Sequence, residues 1–165
     1  MRTTATETSI DATPGEVWEV LTDFPGHAAW NPYIREAAGA AVPGTRLTLV
    51  THPERGRPVV LRPTVVTAVP GRELRWTRPF LVRGLFDREH VLRLTEGPGR
   101  TTRLEHGERF RGLLVPLCLG RPPLGAARGH AAMYEALRIR VESARTRNRP
   151  VPRPPGPRAG PGGRA

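Results

Sequence analysis

The apolar positions of this chain change period several times, and each change predicts an element. The longest segment with a helical period runs from Leu124 to Arg147. There Ala126, His130, Met133, Leu137, Val141 and Ala144 recur at steps of three and four, which stacks them on one helix face. Arg128, Glu135, Arg138, Glu142 and Arg145 fall on the other face, and Glu135 and Glu142 each have an Arg three residues on. A first, shorter helix is announced by Thr13-Pro14-Gly15-Glu16. Thr13 can cap, Pro14 suits the first helical position and Glu16 completes a capping box. Val17, Val20, Leu21 and Phe24 supply its buried face, and Pro25 to Trp30 can add one short helical turn before Trp30-Asn31-Pro32-Tyr33.

The rest reads as strands. Thr3 to Ile10, Gly44 to His52, Pro58 to Val69 and Glu73 to Thr77 are predicted strands, with Pro70-Gly71 as a turn. The next pair alternates with period two. Phe86, Arg88, His90, Leu92 and Leu94 share one face; after Gly97-Pro98-Gly99, Leu104, His106, Glu108 and Phe110 share one face. The opposite faces hold Glu89, Arg93, Arg103, Glu105, Arg109 and Arg111, which belong in water. One amphipathic helix following an antiparallel meander must lay its apolar face on that sheet, so the expected class is α+β.

The inward face of this hairpin is the sharpest chemical signal. A turn centred near Pro98 sets His90 opposite His106 and Arg88 opposite Glu108. Two imidazoles, a guanidinium and a carboxylate among Leu and Phe are costly to bury unless paired. They read either as the polar end of a ligand pocket or as an internal Arg88–Glu108 ion pair with satisfied histidines. Trp30, Tyr33, Trp76 and Phe86 offer flat apolar surface for a ring system, and Met133, Tyr134 and Leu137 would roof the same space. Trp30 can equally be a plug between helix and sheet, and Met133 and Tyr134 ordinary core. His90, His106 and Glu108 are a plausible metal-ligand set, but their spacing matches no recognised metal signature; no metal and no cofactor are expected. Asn31-Pro32 reads as a turn device. Ser9 and Ser143, the only serines, lack a nucleophile context.

Composition adds bounds. At 165 residues one domain with a sizeable core is expected, with residues 1–147 as the domain and 148–165 as a disordered Pro/Gly/Arg-rich tail. The net charge of +11 arises without a single lysine, and six of the arginines lie between residues 145 and 165 with no acid among them. The folded part shows no basic stripe, so specific nucleic-acid binding is not expected. No run is long and apolar enough for a transmembrane helix and no secretory signal is read at the N-terminus. Cys118 is the lone cysteine and reads as inert; a cytoplasmic location is the simplest expectation. The apolar run Leu113-Leu114-Val115-Pro116-Leu117-Cys118-Leu119 reads as cover over a pocket mouth, with a membrane or partner patch as the weaker alternative.

Several motifs carry a family resemblance over residues 3 to 145. They are Ile10-Asp11-Ala12-Thr13-Pro14 with Val17-Trp18-Glu19-Val20-Leu21-Thr22-Asp23-Phe24, then Trp30-Asn31-Pro32-Tyr33-Ile34, Leu74-Arg75-Trp76, Phe86-Asp87-Arg88-Glu89-His90 and Glu108-Arg109-Phe110-Arg111-Gly112. Together they resemble the SRPBCC (START-like) superfamily in its polyketide cyclase/dehydrase-like branch. The resemblance implies a helix-grip, Bet v 1-like fold: a curled antiparallel sheet around a long C-terminal helix, with a deep cavity between them. It also argues for an organic ligand over a metal, and it implies no universal catalytic set. The expected function is binding of a small hydrophobic molecule, lipid-like or polyketide/aromatic, in that cavity. The residues expected to line it are Trp30, Tyr33, Trp76, Phe86, Arg88, His90, His106, Glu108, Phe110, Met133, Tyr134 and Leu137. The alternative is an aromatase/cyclase-like enzyme using the same polar residues.

Overall fold

A computed structural model describes residues 2–54, 56–79, 87–112 and 124–148. The apolar run at 113–119 with Cys118, the tail from residue 149, and Phe86 lie outside the described residues. In order, the elements are β1 (Arg2–Ile10), α1 (Pro14–Thr22), a 3-10 turn (Pro25–Ala29), β2 (Ile34–Ala38), β3 (Thr48–Thr51), β4 (Val59–Leu61), β5 (Thr64–Val69), β6 (Glu73–Pro79), β7 (Asp87–Glu96), β8 (Thr102–Arg111) and the long helix α2 (Leu124–Asn148). The five-stranded sheet runs β1-β8-β7-β6-β5 and the three-stranded one β2-β3-β4, antiparallel throughout. An Arg46–Thr64 bridge and the bonds Leu47 N–H to Pro63 O and Val65 N–H to Thr45 O stitch the two sheets together.

The local signals at α1 act as expected. The Thr13 hydroxyl accepts from the Glu16 amide while the Glu16 carboxylate accepts from the Thr13 amide at 2.7 Å, the reciprocal capping box. Val17 and Leu21 turn inward. Two strand expectations need correction. The Val-rich stretch Pro58 to Val69 is two strands, because Arg62-Pro63 breaks it and the chain changes sheet there; Pro63 has no N–H for a ladder. The strand expected from Gly44 to His52 shortens to Thr48–Thr51, and β2 has no counterpart among the predicted strands: Ile34 is its one fully buried residue.

The turn between β7 and β8 also differs, and the register with it. Glu96 pairs with Thr102, so the connection is centred on Gly99 rather than Pro98. Gly99 and Arg100 both take left-handed backbone angles, at φ 68° and 63°, which Gly99 adopts without a Cβ penalty. The residue opposite His90 is therefore Glu108, opposite Leu92 is His106, and opposite Arg88 is Phe110. A shift of two leaves every side chain on its expected face and changes only its partners.

Ile10, Val17, Leu21, Leu47, Leu49, Val65, Leu74, Leu92, Leu104, Met133, Leu137 and Val141 form one core between the sheets, α1 and α2. Beyond that core, toward the Asp87 end of β7 and the Arg111 end of β8, the inward positions turn polar.

Candidate functional site

β7 delivers Arg88 and His90 to the inward face, β8 delivers His106 and Glu108, and α2 lowers His130 and Tyr134 onto them. His90 Nδ1 lies 3.0 Å from His106 Nε2, and the two rings stack within 8° of parallel. Arg88 Nη2 donates to Glu108 Oε1 at 2.7 Å, and its guanidinium lies 5.5 Å from the centre of the Phe110 ring. The same Glu108 oxygen is 3.8 Å from His90 Nδ1 and 3.3 Å from His130 Nδ1. His130 meets both other imidazoles edge-on, at 5.6 Å to His90 and 4.7 Å to His106.

An aromatic collar holds these rings. Trp76, opposite His90 on β6, stacks on it at 5.5 Å. Tyr134 lies against His106 at 5.4 Å and Tyr33 meets His130 edge-on at 5.2 Å. Tyr33 is set in place by Asn31, whose Oδ1 accepts from the amides of Tyr33 and Ile34. Its ring can approach α2 because residue 129 is Gly; a Cβ there would collide with the Tyr33 ring.

Burial dominates the electrostatics. It holds His106 down at about 3, with the nearby His130 and Arg88 acting in the same direction. It lowers His130 to about 4, with Glu108 opposing and Arg88 reinforcing. His90 is likewise pushed well below the usual imidazole range, by burial first and then by Arg88. At neutral pH all three imidazoles are uncharged. Burial raises the Tyr134 phenol and, less strongly, that of Tyr33, so both stay protonated. Arg78 sits opposite Arg88 across β6 and β7, half-buried, its own pKa lowered by burial and by Arg88. Arg88 Nε is buried with no hydrogen-bond partner among the described residues.

The structure thus brings together Tyr33, Trp76, Arg88, His90, His106, Glu108, Phe110 and Tyr134. Met133, next to Tyr134, and Leu137, one turn further along α2, lie in the core. Trp30 packs on His27 at 4.8 Å beside the short 3-10 turn. The residue missed as a site member is His130. Its place on the inward helix face was readable, but its partners depend on how closely α2 approaches the sheet. With it, the ligating atoms of His90, His106, Glu108 and His130 all lie within 4.8 Å of one another. This is a set that could hold a metal ion.

A groove of about 740 Å³ lies between α1, the end of β1 and the C-terminal half of α2. Across it the Asp11 amide donates to Glu142 at 3.0 Å, and Arg145 donates to the Asp11 carbonyl at 2.7 Å. It reads as the clamp that fixes α2.

A long C-terminal helix gripped by an antiparallel sheet, with a polar cluster enclosed between them, defines a helix-grip protein of the START-like, Bet v 1-like class. The chain belongs to the polyketide cyclase/dehydrase and lipid transport family, whose model matches residues 1–146. Among solved structures it is similar to a protein from Rhodobacter sphaeroides, at 18% identity and TM-score 0.68, covering 86% of this chain and 93% of that one. A START superfamily protein from Mycobacterium smegmatis is similar at 15% identity and TM-score 0.64, covering 86% and 98%. The di-domain ARO/CYC StfQ of the steffimycin biosynthetic pathway is similar at 13% identity and TM-score 0.64, covering 87% of this chain and 52% of that one. At such identities these likenesses speak for the fold. No curated protein matches the sequence. Among the described residues no helix is long and apolar enough to cross a membrane.

Proposed function

We propose that this protein binds a small hydrophobic molecule, lipid-like or polyketide/aromatic, between the sheet and α2. The observation that carries the reading is the placement of the polar cluster. Three uncharged imidazoles, a guanidinium and a carboxylate are enclosed at one end of an otherwise apolar sheet–helix interface. Pockets for organic ligands have this make-up: apolar walls with a few convergent polar groups that fix orientation. The spare Arg88 Nε–H and the adjacent Arg78 favour a ligand that brings an oxygen acceptor, such as a carbonyl, to that end. Trp76, Tyr33 and Tyr134 would face the body of a ring system.

The cyclase-like alternative draws support from the family and from the convergence of His90, His106 and Glu108. A general base works best with a pKa near the working pH. Imidazoles held at about 3 and about 4 are weak bases at pH 7. This favours a binder that orients its ligand over an acid–base enzyme.

The test is native mass spectrometry of the purified protein for a co-purified small molecule, combined with titration of the apolar dye 1-anilinonaphthalene-8-sulfonate. Saturable dye binding that weakens in Met133→Trp, which fills space under α2, is the expected result. Equal dye binding in wild type and variant would remove the cavity from this place.

A further inference from the structure

The four-residue cluster has a property that binding of an organic ligand does not call for. His90, His106, His130 and Glu108, carried by three separate elements, each bring one ligating atom within 4.8 Å of the other three. A zinc ion with bonds of about 2.0–2.1 Å holds tetrahedral ligand atoms about 3.3–3.4 Å apart. The separations here are 3.0 Å for His90–His106, 3.3 Å for His130–Glu108 and 3.8 Å for His90–Glu108. These three of the six separations bracket that edge length, and all six lie within 4.8 Å, so closing the shell draws the wider pairs inward by up to about 1.4 Å through side-chain rotation. The collar of Trp76, Tyr33 and Tyr134 restrains the imidazoles near this arrangement, which is the support a metal site needs from its surroundings.

We infer that His90, His106, His130 and Glu108 form a binding site for one divalent first-row transition-metal ion, with zinc(II) the best match to donor type and geometry. A neutral imidazole offers the lone pair of one ring nitrogen to a metal ion. Any proton on a convergent ring nitrogen moves to the other nitrogen of the same ring, and each imidazole stays neutral. Glu108 has lone pairs enough to keep its bond to Arg88 and accept the ion as well. The Arg88 charge opposes a cation, and the Glu108 carboxylate offsets it. The inference is independent of the organic ligand proposed above, and its test contains no such ligand.

Untagged full-length protein is stripped with a chelator and titrated with Co²⁺, then with Zn²⁺. One equivalent of Co²⁺ is expected to bind with the intense visible absorption of a four-coordinate nitrogen/oxygen site, and one equivalent of Zn²⁺ is expected to displace it. His106→Gln and His130→Gln should each weaken Zn²⁺ binding by at least about 100-fold, at or beyond the top of the range for losing even an outer-shell partner. His27→Gln, which removes a buried histidine outside the cluster, should leave it unchanged. Wild type that binds no stoichiometric Co²⁺ would overturn the inference without reference to any variant. So would Zn²⁺ affinity that is the same in His106→Gln, His130→Gln and wild type.

Discussion

Arg88 and Glu108 meet on a diagonal. Nη2 and Oε1 are 2.7 Å apart, although the residue directly across from Arg88 is Phe110 and the one across from Glu108 is His90. Diagonal neighbours on one face of an antiparallel pair lie within reach of long side chains. Both side chains are largely buried, so removing either leaves the other without its partner. Arg88→Met or Glu108→Gln alone is expected to cost about 3–5 kcal/mol, and the double variant less than the sum of the two. Urea denaturation of the three variants measures this; additive losses would mean that the pair does not act as one unit.

Gly129 sets the distance between α2 and Tyr33. Gly129→Ala gains about 1 kcal/mol in helix propensity but drives its Cβ into the Tyr33 ring, an overpacking cost of about 1–3 kcal/mol. A net loss of stability is expected. Adding Tyr33→Ala should remove most of the clash, so the cost of Gly129→Ala measured in that background should vanish or change sign.

Asn31 is buried, and its Oδ1 accepts from two backbone amides while its amide group faces His27 Nδ1 at 3.3 Å. Asn31→Ala leaves donors without partners, at about 1–3 kcal/mol for each buried group. Because Asn31 also positions Tyr33, this variant should weaken dye binding beyond what its thermal stability explains. Equal dye affinity per folded molecule would limit Asn31 to the turn.

His27 carries a pH dependence of its own. Its Nε2–H donates to the Leu21 carbonyl at 2.9 Å, and burial lowers its pKa, with the Leu21 bond and Asp23 opposing. The folded pKa lies below the unfolded value of about 6.5. As pH falls below about 6.5 the unfolded chain takes up a proton that the folded chain refuses, so stability is lost toward acid. The slope from one such group is at most about 1.4 kcal/mol per pH unit. His27→Gln is expected to be less stable at pH 7 but to show a shallower decline between pH 6.5 and 5, read from urea midpoints.

The elements with strong internal periodicity are legible in the chain itself. The capping box at Thr13, the alternation through β7 and β8, and the α2 face carrying Met133, Leu137 and Val141 all follow from residue spacing. The fold class can be read from these together. What spacing cannot supply are relations set by backbone conformation at single points. The β7–β8 register turns on Gly99 and Arg100 both adopting positive φ. The division of Pro58–Val69 turns on Pro63 at a change of sheet. β2 escapes because Ile34-Arg35-Glu36-Ala37-Ala38 buries too little to alternate. His130 illustrates the same limit within the site: its face is readable, but its meeting with His90 and His106 depends on how α2 packs against β7 and β8.

Trp76 lies nearly parallel to His90, at an interplanar angle of 18°. That stack gives the cluster a built-in optical reporter. An indole's excited state responds to charge and quenchers placed over its ring face, so its emission will register whatever arrives beside the imidazole. The two other tryptophans, Trp18 and Trp30, lie at the edge of the core and can be replaced by Phe. The remaining fluorophore would then follow occupancy of the site in real time without any label, and stopped-flow traces could separate the arrival of an ion from the slower entry of a bulky apolar molecule.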